Sequence, residues 1–521
     1  MHVGAGRSWL SRSEMMLFAA TGAPLEFAFG NFCAMLVAAL PPLAVKPSAT
    51  SATVAPLGAA SGYESSSIGD RLRAAIYLPP AGLYTAPGDD FVLAQAIVVH
   101  RHGDRSPISH GAGSKLRLGA STWAARLPPA ADLAALNASF PVRSLPAASG
   151  AVHGPADAPF AQLTRVGGAQ CVALGAAVRE SLEAHAPHLL QGDGLRGRVL
   201  VHATARKRTQ LSAQHVLRGL FGPELGTEHG AEHGPQREAR LRVRVPVLVR
   251  PIDDEPLLPC PQSCGALKQR MRQVSTAATA AVEPEAQALM RHVGEALGYA
   301  KANATVALSR LDEASDVASC YVAHGDLLPA ALSEEDVLAM LGLNTRLSRD
   351  TYSDPQVGRL GMGRLLAEIE GWLAAAARRD SEAPRLVLLS GHDSTLVPLL
   401  ASLQLFDAAS SWPPYTAHVR IELAHARRGG APAARLLYQG RPLTAVGTGM
   451  PVSHGHGHAD QHPGAGWISL GAFQELLRPA RITADQYAKE CVRMVDVEPE
   501  RGGGGDAALQ HTLSVDNVLV Q

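Results

Sequence analysis

QAIVVHRHGDRSP, residues 95–107, decides the architecture: an apolar run stops abruptly against a loop carrying Arg101, His102 and Arg105. Near-consecutive apolar residues suit a strand covered on both faces. A polar loop at the end of such a strand is where α/β sheets place their ligands. Two further segments repeat the arrangement. RVLVHAT (198–204) runs into the Arg206, Lys207, Arg208 loop, and RLVLLS (385–390) runs into GHDST.

Between these strands the apolar spacing is helical. LTRVGGAQCVALGAAVRESLEAH (163–185) carries one apolar stripe, and the stretch after Arg206 places Leu211, His215, Leu217 and Leu220 on another. Alternating strands and helices predict an α/β fold with a parallel sheet. AHVRIELA (417–424) and ARLLYQG (434–440) read as antiparallel additions. From about 282 to 380 the pattern is almost wholly helical, which predicts a cap beside the sheet. The expected domain covers 71–500, with an α/β core from about 90–222 and 383–495 and a cap drawn mainly from 250–380.

Apolar residues make up 46% of the chain and charged residues 18%, enough for a large core. Lys plus Arg number 47 and Asp plus Glu 47, so no overall field exists to hold nucleic acid or an anionic membrane surface. Any anion site must be local. Six cysteines lack the paired spacing of a structural zinc site, and Cys260 and Cys264 are open to two readings, a short local bridge or two ordinary thiols. The stretch from Met15 to Val45 is broken by Pro24, Glu26, Pro41 and Pro42, a poor membrane span. Residues 1–70 read as a targeting leader of organelle-transit composition, with the secretory route as the alternative. The Gly502 to Gly505 run opens a tail, 501–521, expected to be flexible.

The three strand tips converge although nearly three hundred residues separate them. Arg101, Arg105 and Arg208 offer permanently charged planar forks that match phosphate oxygens. A histidine among them stays neutral, because protonation beside like charge is unfavourable, and neutral imidazole is a nucleophile. His102 can therefore attack phosphorus and split a slow hydrolysis into two displacements. The leaving alcohol needs a proton, and Asp393, beside His392, is the acid placed to give it.

HRHGDRSP (100–107) together with GHDST (391–395) resembles the two signatures of the histidine acid phosphatases. The 163–185 helix and ARKRTQLSA resemble that family's intervening segments. Further stretches, among them PQSCGALKQR and ITADQYAKEC, resemble its lysophosphatidic acid phosphatase type 6 branch. The resemblance implies a phosphoglycerate-mutase-like three-layer α/β/α core with an inserted, mostly helical cap. It implies His102 as nucleophile, Asp393 as proton donor, and Arg101, Arg105, Arg208 and His392 as phosphate ligands, with no metal or cofactor. The expected substrate is a phosphomonoester such as a lysophospholipid, its acyl chain taken by apolar cap residues. A phytase or inositol polyphosphate phosphatase is the alternative, and a silent phosphate-binding relative is the non-enzyme one. A mutase would lack the GHD acid.

Some features stand outside the resemblance. His202 occupies a position where many relatives have arginine. The 226–242 insertion with His229 and His233, and SHGHGHADQH (453–462), read as solvated loops before they read as metal tracts. Asn137 and Asn303 lie in glycosylation sequons that matter only on the secretory route.

Overall fold

The computed structural model describes residues 67–80, 83–108, 119–145, 159–190, 198–222, 245–297, 308–328, 332–406, 411–443 and 466–492. The leader before Ser67, the His229 and His233 insertion, Asn303, the 453–462 segment and the tail lie outside the described residues.

Nine strands form one sheet: β1 (Phe91–Arg101), β2 (Val142–Ser144), β3 (Val199–Ala203), β4 (Val247–Val249), β5 (Leu386–Gly391), β6 (His418–Ala426), β7 (Ala433–Tyr438), β8 (Arg441–Pro442) and β9 (Ile468–Ser469). Their order is β2-β4-β3-β5-β1-β6-β7-β8, with β9 paired to β7. From β2 to β1 neighbours run parallel, and β6 joins β1 antiparallel. Arg101 lies opposite Gly391 and Ala203 opposite Ser390, so the carboxyl ends of β1, β3 and β5 stop level with one another.

The site and its cover are built from α1 (Ile68–Ile76), α2 (Arg165–His185), α3 (Lys207–Phe221), α4 (Gly265–Leu297), α5 (Leu308–Ala323), α6 (Glu334–Tyr352), α7 (Pro355–Ala377) and α8 (Asp393–Ser402). The strand period of two sorts the central side chains onto opposite faces. Ala96, Val98, Leu386 and Leu388 pack under α2 and α3. Ile97, Val99, Val387 and Leu389 pack under α7 and α8. This is the three-layer α/β/α core. α2 and α3 meet backbone to backbone: a Cβ on Gly175 would sit 2.0 Å from the Val216 carbonyl oxygen, and one on Gly219 2.1 Å from that of Val172.

A second core lies in the cap, where Leu72, Ile76, Trp123, Val282, Met290, Val293, Leu311, Val317, Val337 and Met340 bury one another. α4 spans both cores, with Leu267 and Met271 on the sheet side and Val282 onward in the cap. The cap boundary differs from the expected one. α7 falls within 250–380, yet its Val357, Leu360, Leu366, Ile369 and Leu373 cover the sheet. An apolar stripe shows that a helix has a partner, not which partner it has.

Cys260 and Cys264 form no local bridge: Cys260 is an ordinary buried thiol, while Cys264 is bonded to Cys491, 227 residues away. The bridge ties the start of α4 to the helix Ala484–Val492. That helix opens on a capping box, Thr483 N–H donating to Gln486 and Gln486 N–H to the Thr483 hydroxyl. Among the described residues no helix is long and apolar enough to cross a membrane.

Candidate active site

The loop after β1 is fixed by its backbone before any side chain acts. His102 N–H donates to the Gly391 carbonyl (3.0 Å), Gly103 N–H to the Ser212 hydroxyl on α3 (3.2 Å) and Asp104 N–H to Gln170 on α2 (2.8 Å). A Cβ on Gly103 would lie 2.3 Å from the Gly167 carbonyl oxygen, so the loop lies directly on the first turn of α2. Three elements far apart in sequence therefore set the position of one imidazole.

His102 is 1% exposed, and its Nδ1 lies 2.8 Å from the Gly103 carbonyl oxygen. A carbonyl only accepts, so Nδ1 carries the proton and Nε2 keeps its lone pair. Burial, then the charges of Arg208, His392, Arg101 and Arg105, hold the His102 pKa well below its ordinary value. Desolvation thus leads, and the arginine field adds to it. His392, at the tip of β5, stands 5.3 Å away ring to ring. Arg208 Nη2 donates to its Nδ1 (3.3 Å), which leaves Nε2–H to donate to the Thr204 hydroxyl (2.9 Å). Its pKa is likewise well below normal, through burial and then Arg208.

The three arginines differ in what they already hold. Arg101 pairs with Asp393 (2.8 Å), donates to the Pro413 carbonyl (2.6 Å) and lies 4.5 Å over the Tyr415 ring. Arg105 makes a two-pronged contact with Asp316 of α5, at 2.6 and 3.2 Å. Arg208, 3% exposed, has no carboxylate partner among the described residues, and its Nε has no hydrogen-bond acceptor. Burial, then Arg105 and Arg206, press its pKa well down. A guanidinium cannot shed its proton, so the unfavourable burial is relieved by an anion entering beside it.

All six residues expected from sequence meet at the level tips of β1, β3 and β5: Arg101, His102, Arg105, Arg208, His392 and Asp393. Three partners were not anticipated. Asp316 and His324 reach down from the cap, the first to Arg105 and the second to the buried Asp104 carboxylate (2.7 Å). Thr204 accepts the His392 Nε2–H that the Arg208 contact at Nδ1 leaves as donor. No sequence motif marks Asp316 or His324, whereas Thr204 sits at a strand tip and was within reach. The cleft at the arginines is lined by apolar Ile76, Leu341, Trp412 and Tyr415 and by polar Asp312, Ser315, Asp316 and Asn344. His202 lies on β3 beside Arg250 rather than in this cleft; burial, then the Arg250 charge, lowers its pKa to about 4. Among the described residues no group of three His, Cys, Asp or Glu side chains is placed to hold a metal.

The chain is similar to testicular acid phosphatase from Homo sapiens, 27% identical over 78% of this chain and 82% of that protein. Lysophosphatidic acid phosphatase type 6 from Bos taurus is 25% identical over 67% of this chain and 78% of its own length. In fold it resembles the apo form of Hafnia alvei phytase, with a TM-score of 0.51 at 14% identity, covering 77% of this chain and all of that one. Residues 92–439, which include every one of the six site residues, match the histidine phosphatase superfamily (branch 2), and the chain belongs to that family.

Proposed function

We propose that this phosphoric monoester hydrolase works through a phosphohistidine. The observation that carries the reading is the buried Arg208, without a carboxylate, beside a His102 whose Nε2 lone pair is free. A phosphate dianion seated among Arg101, Arg105, Arg208 and His392 puts its phosphorus in reach of that lone pair. The N–P bond forms as the ester P–O bond breaks, and the alkoxide takes a proton from Asp393. Water then attacks the phosphohistidine, returns a proton to Asp393 and releases phosphate.

Asp393 takes up part of the Arg101 fork. An entering phosphate competes for that fork and frees the carboxyl to face the leaving oxygen. The test is release of p-nitrophenol from p-nitrophenyl phosphate at acid pH in chelator, wild type against His102→Ala. Chelator-resistant turnover lost in the variant supports the reading; a folded but inactive wild type points to a silent binding relative.

The substrate reading is a monophosphate with an apolar tail, such as lysophosphatidic acid. Ile76, Leu341, Trp412 and Tyr415 supply apolar wall to the cleft, and three relatives bear that substrate in their name. The phytase alternative is disfavoured by Asp312 and Asp316, whose carboxylates would oppose further phosphates on one ring. For compartment, the Cys264–Cys491 bond favours the oxidising secretory route over an organelle matrix.

A further inference from the structure

The far end of the sheet holds a second cationic cavity. It has a volume of about 570 Å³ and is lined at the start of β1 by Val92 to Ala94. His102 lies some nine residues further along the same strand and its loop, so the cavity is roughly 30 Å from the nucleophile at about 3.3 Å per residue.

Four arginines line it, Arg198, Arg379, Arg385 and Arg427, against one carboxylate, Asp380. Among the described residues none of the four makes an ion pair: Arg385 donates to the His188 carbonyl and Arg427 to that of Asp89. Asp380 accepts the Glu382 N–H. His425 also contributes to the lining.

Arg379 adds an independent observation. It ends α7 in a Schellman turn, with Arg379 N–H bonded to the Ala376 carbonyl and Asp380 N–H to that of Ala375. Its φ is +58°, the left-handed region in which glycine is the residue of least strain. A long cationic side chain is kept where the backbone favours none.

We propose that this cavity is a second anion site, for a small soluble molecule bearing several phosphate or sulfate groups. Its concave shape fits a compact ligand rather than a flat membrane, and four guanidinium forks exceed what one phosphate can use.

Myo-inositol hexakissulfate, which has no hydrolysable phosphate, serves as probe. It is titrated into the full chain with saturating orthovanadate in the catalytic cleft, for wild type and for the double variant Arg379→Gly, Arg427→Ala. The expected result is saturable binding that weakens at least tenfold in the variant. Turnover of p-nitrophenyl phosphate stays unchanged and the thermal midpoint does not fall, because glycine relieves the turn. No binding to wild type, or equal binding to both proteins, overturns the proposal. So does binding to phosphatidylserine vesicles through these arginines without binding of the soluble probe, which would make the surface a membrane contact.

Discussion

Two arginine clusters are buried in this one sheet, and they are finished differently. Around Glu422, on β6, Arg420 and Arg435 close at 2.6 and 2.7 Å. Arg435 also donates to the carbonyls of Ala86 and Thr85 and lies 4.6 Å over the Trp467 ring, while Arg420 donates to Ser181 and covers Tyr84. Around His102 the cations outnumber their partners, and Arg208 holds only a neutral imidazole. What separates the clusters is the carboxylate: Arg420 and Arg435 both close on Glu422, whereas Arg208 has no carboxylate partner among the described residues. A buried arginine paired with a carboxylate belongs to the fold, and one without a carboxylate is suited to an incoming anion.

The largest expected effect tests the second half of that contrast. His102→Ala removes the attacking atom and is expected to lower turnover by about 10⁴–10⁶-fold, the range seen when a covalent nucleophile is deleted. The denaturation midpoint should barely move, since the imidazole makes one side-chain hydrogen bond. Glu422→Ala tests the first half. It strands two buried guanidinium groups and should cost about 3–5 kcal/mol in urea unfolding, with turnover per folded molecule unchanged. If Glu422→Ala instead lowered turnover at full stability, the distinction between the clusters would fail.

Arg208→Ala is the crossed experiment. It should lower kcat by about 10²–10³-fold, near 3–4 kcal/mol of transition-state stabilisation. Stability should hold or rise, because a buried cation without a carboxylate is removed. Urea midpoints and kcat measured on one preparation separate the two outcomes.

How much of this was legible follows the same line. The catalytic residues could be found because their chemistry is written in adjacent letters: HRHGDRSP and GHDST each put unlike charges at the end of an apolar strand. Arg208 could be placed because its loop also follows such a strand. The cap contacts could not. Asp316 sits in a helix whose acids look like any solvated face, and only the fold turns it toward Arg105. Cys264 and Cys491 likewise carry no mark of their pairing across 227 residues. α7 was assigned to the wrong core because its stripe does not name its partner.

A smaller effect is expected from pH. His100 and His418 lie opposite one another across β1 and β6, and both are buried. Burial lowers each pKa to about 4, with Arg420 adding to the effect at His418. Below the ordinary value of 6.5 the unfolded chain takes up protons that the folded chain refuses, so this stabilisation is complete above about 6.5 and drains away as pH falls toward 4. Each histidine contributes at most about 1.4 kcal/mol per pH unit across that window. Urea midpoints at pH 7 and 5 should therefore fall with acid, and His418→Gln should flatten the slope. A slope unchanged by that substitution would assign the pH dependence to other groups.

The smallest effect concerns the arginine that lies between the two extremes. Arg105 is paired with a carboxylate, Asp316, as Arg435 is with Glu422, yet it faces the catalytic cleft. The Asp316 carboxylate also accepts the Ile108 N–H, so it holds both the fork and the loop that carries it. Asp316→Asn keeps an acceptor but removes the charge. The cleft becomes more cationic, so inorganic phosphate should inhibit more strongly, while the less fixed fork lowers kcat by about tenfold, within the cost of a small misplacement. Opposite movement of phosphate affinity and kcat is what a positioning carboxylate produces. A change in stability alone, with both constants unmoved, would return Arg105 and Asp316 to the structural class of carboxylate-paired arginines represented by Arg435 and Glu422.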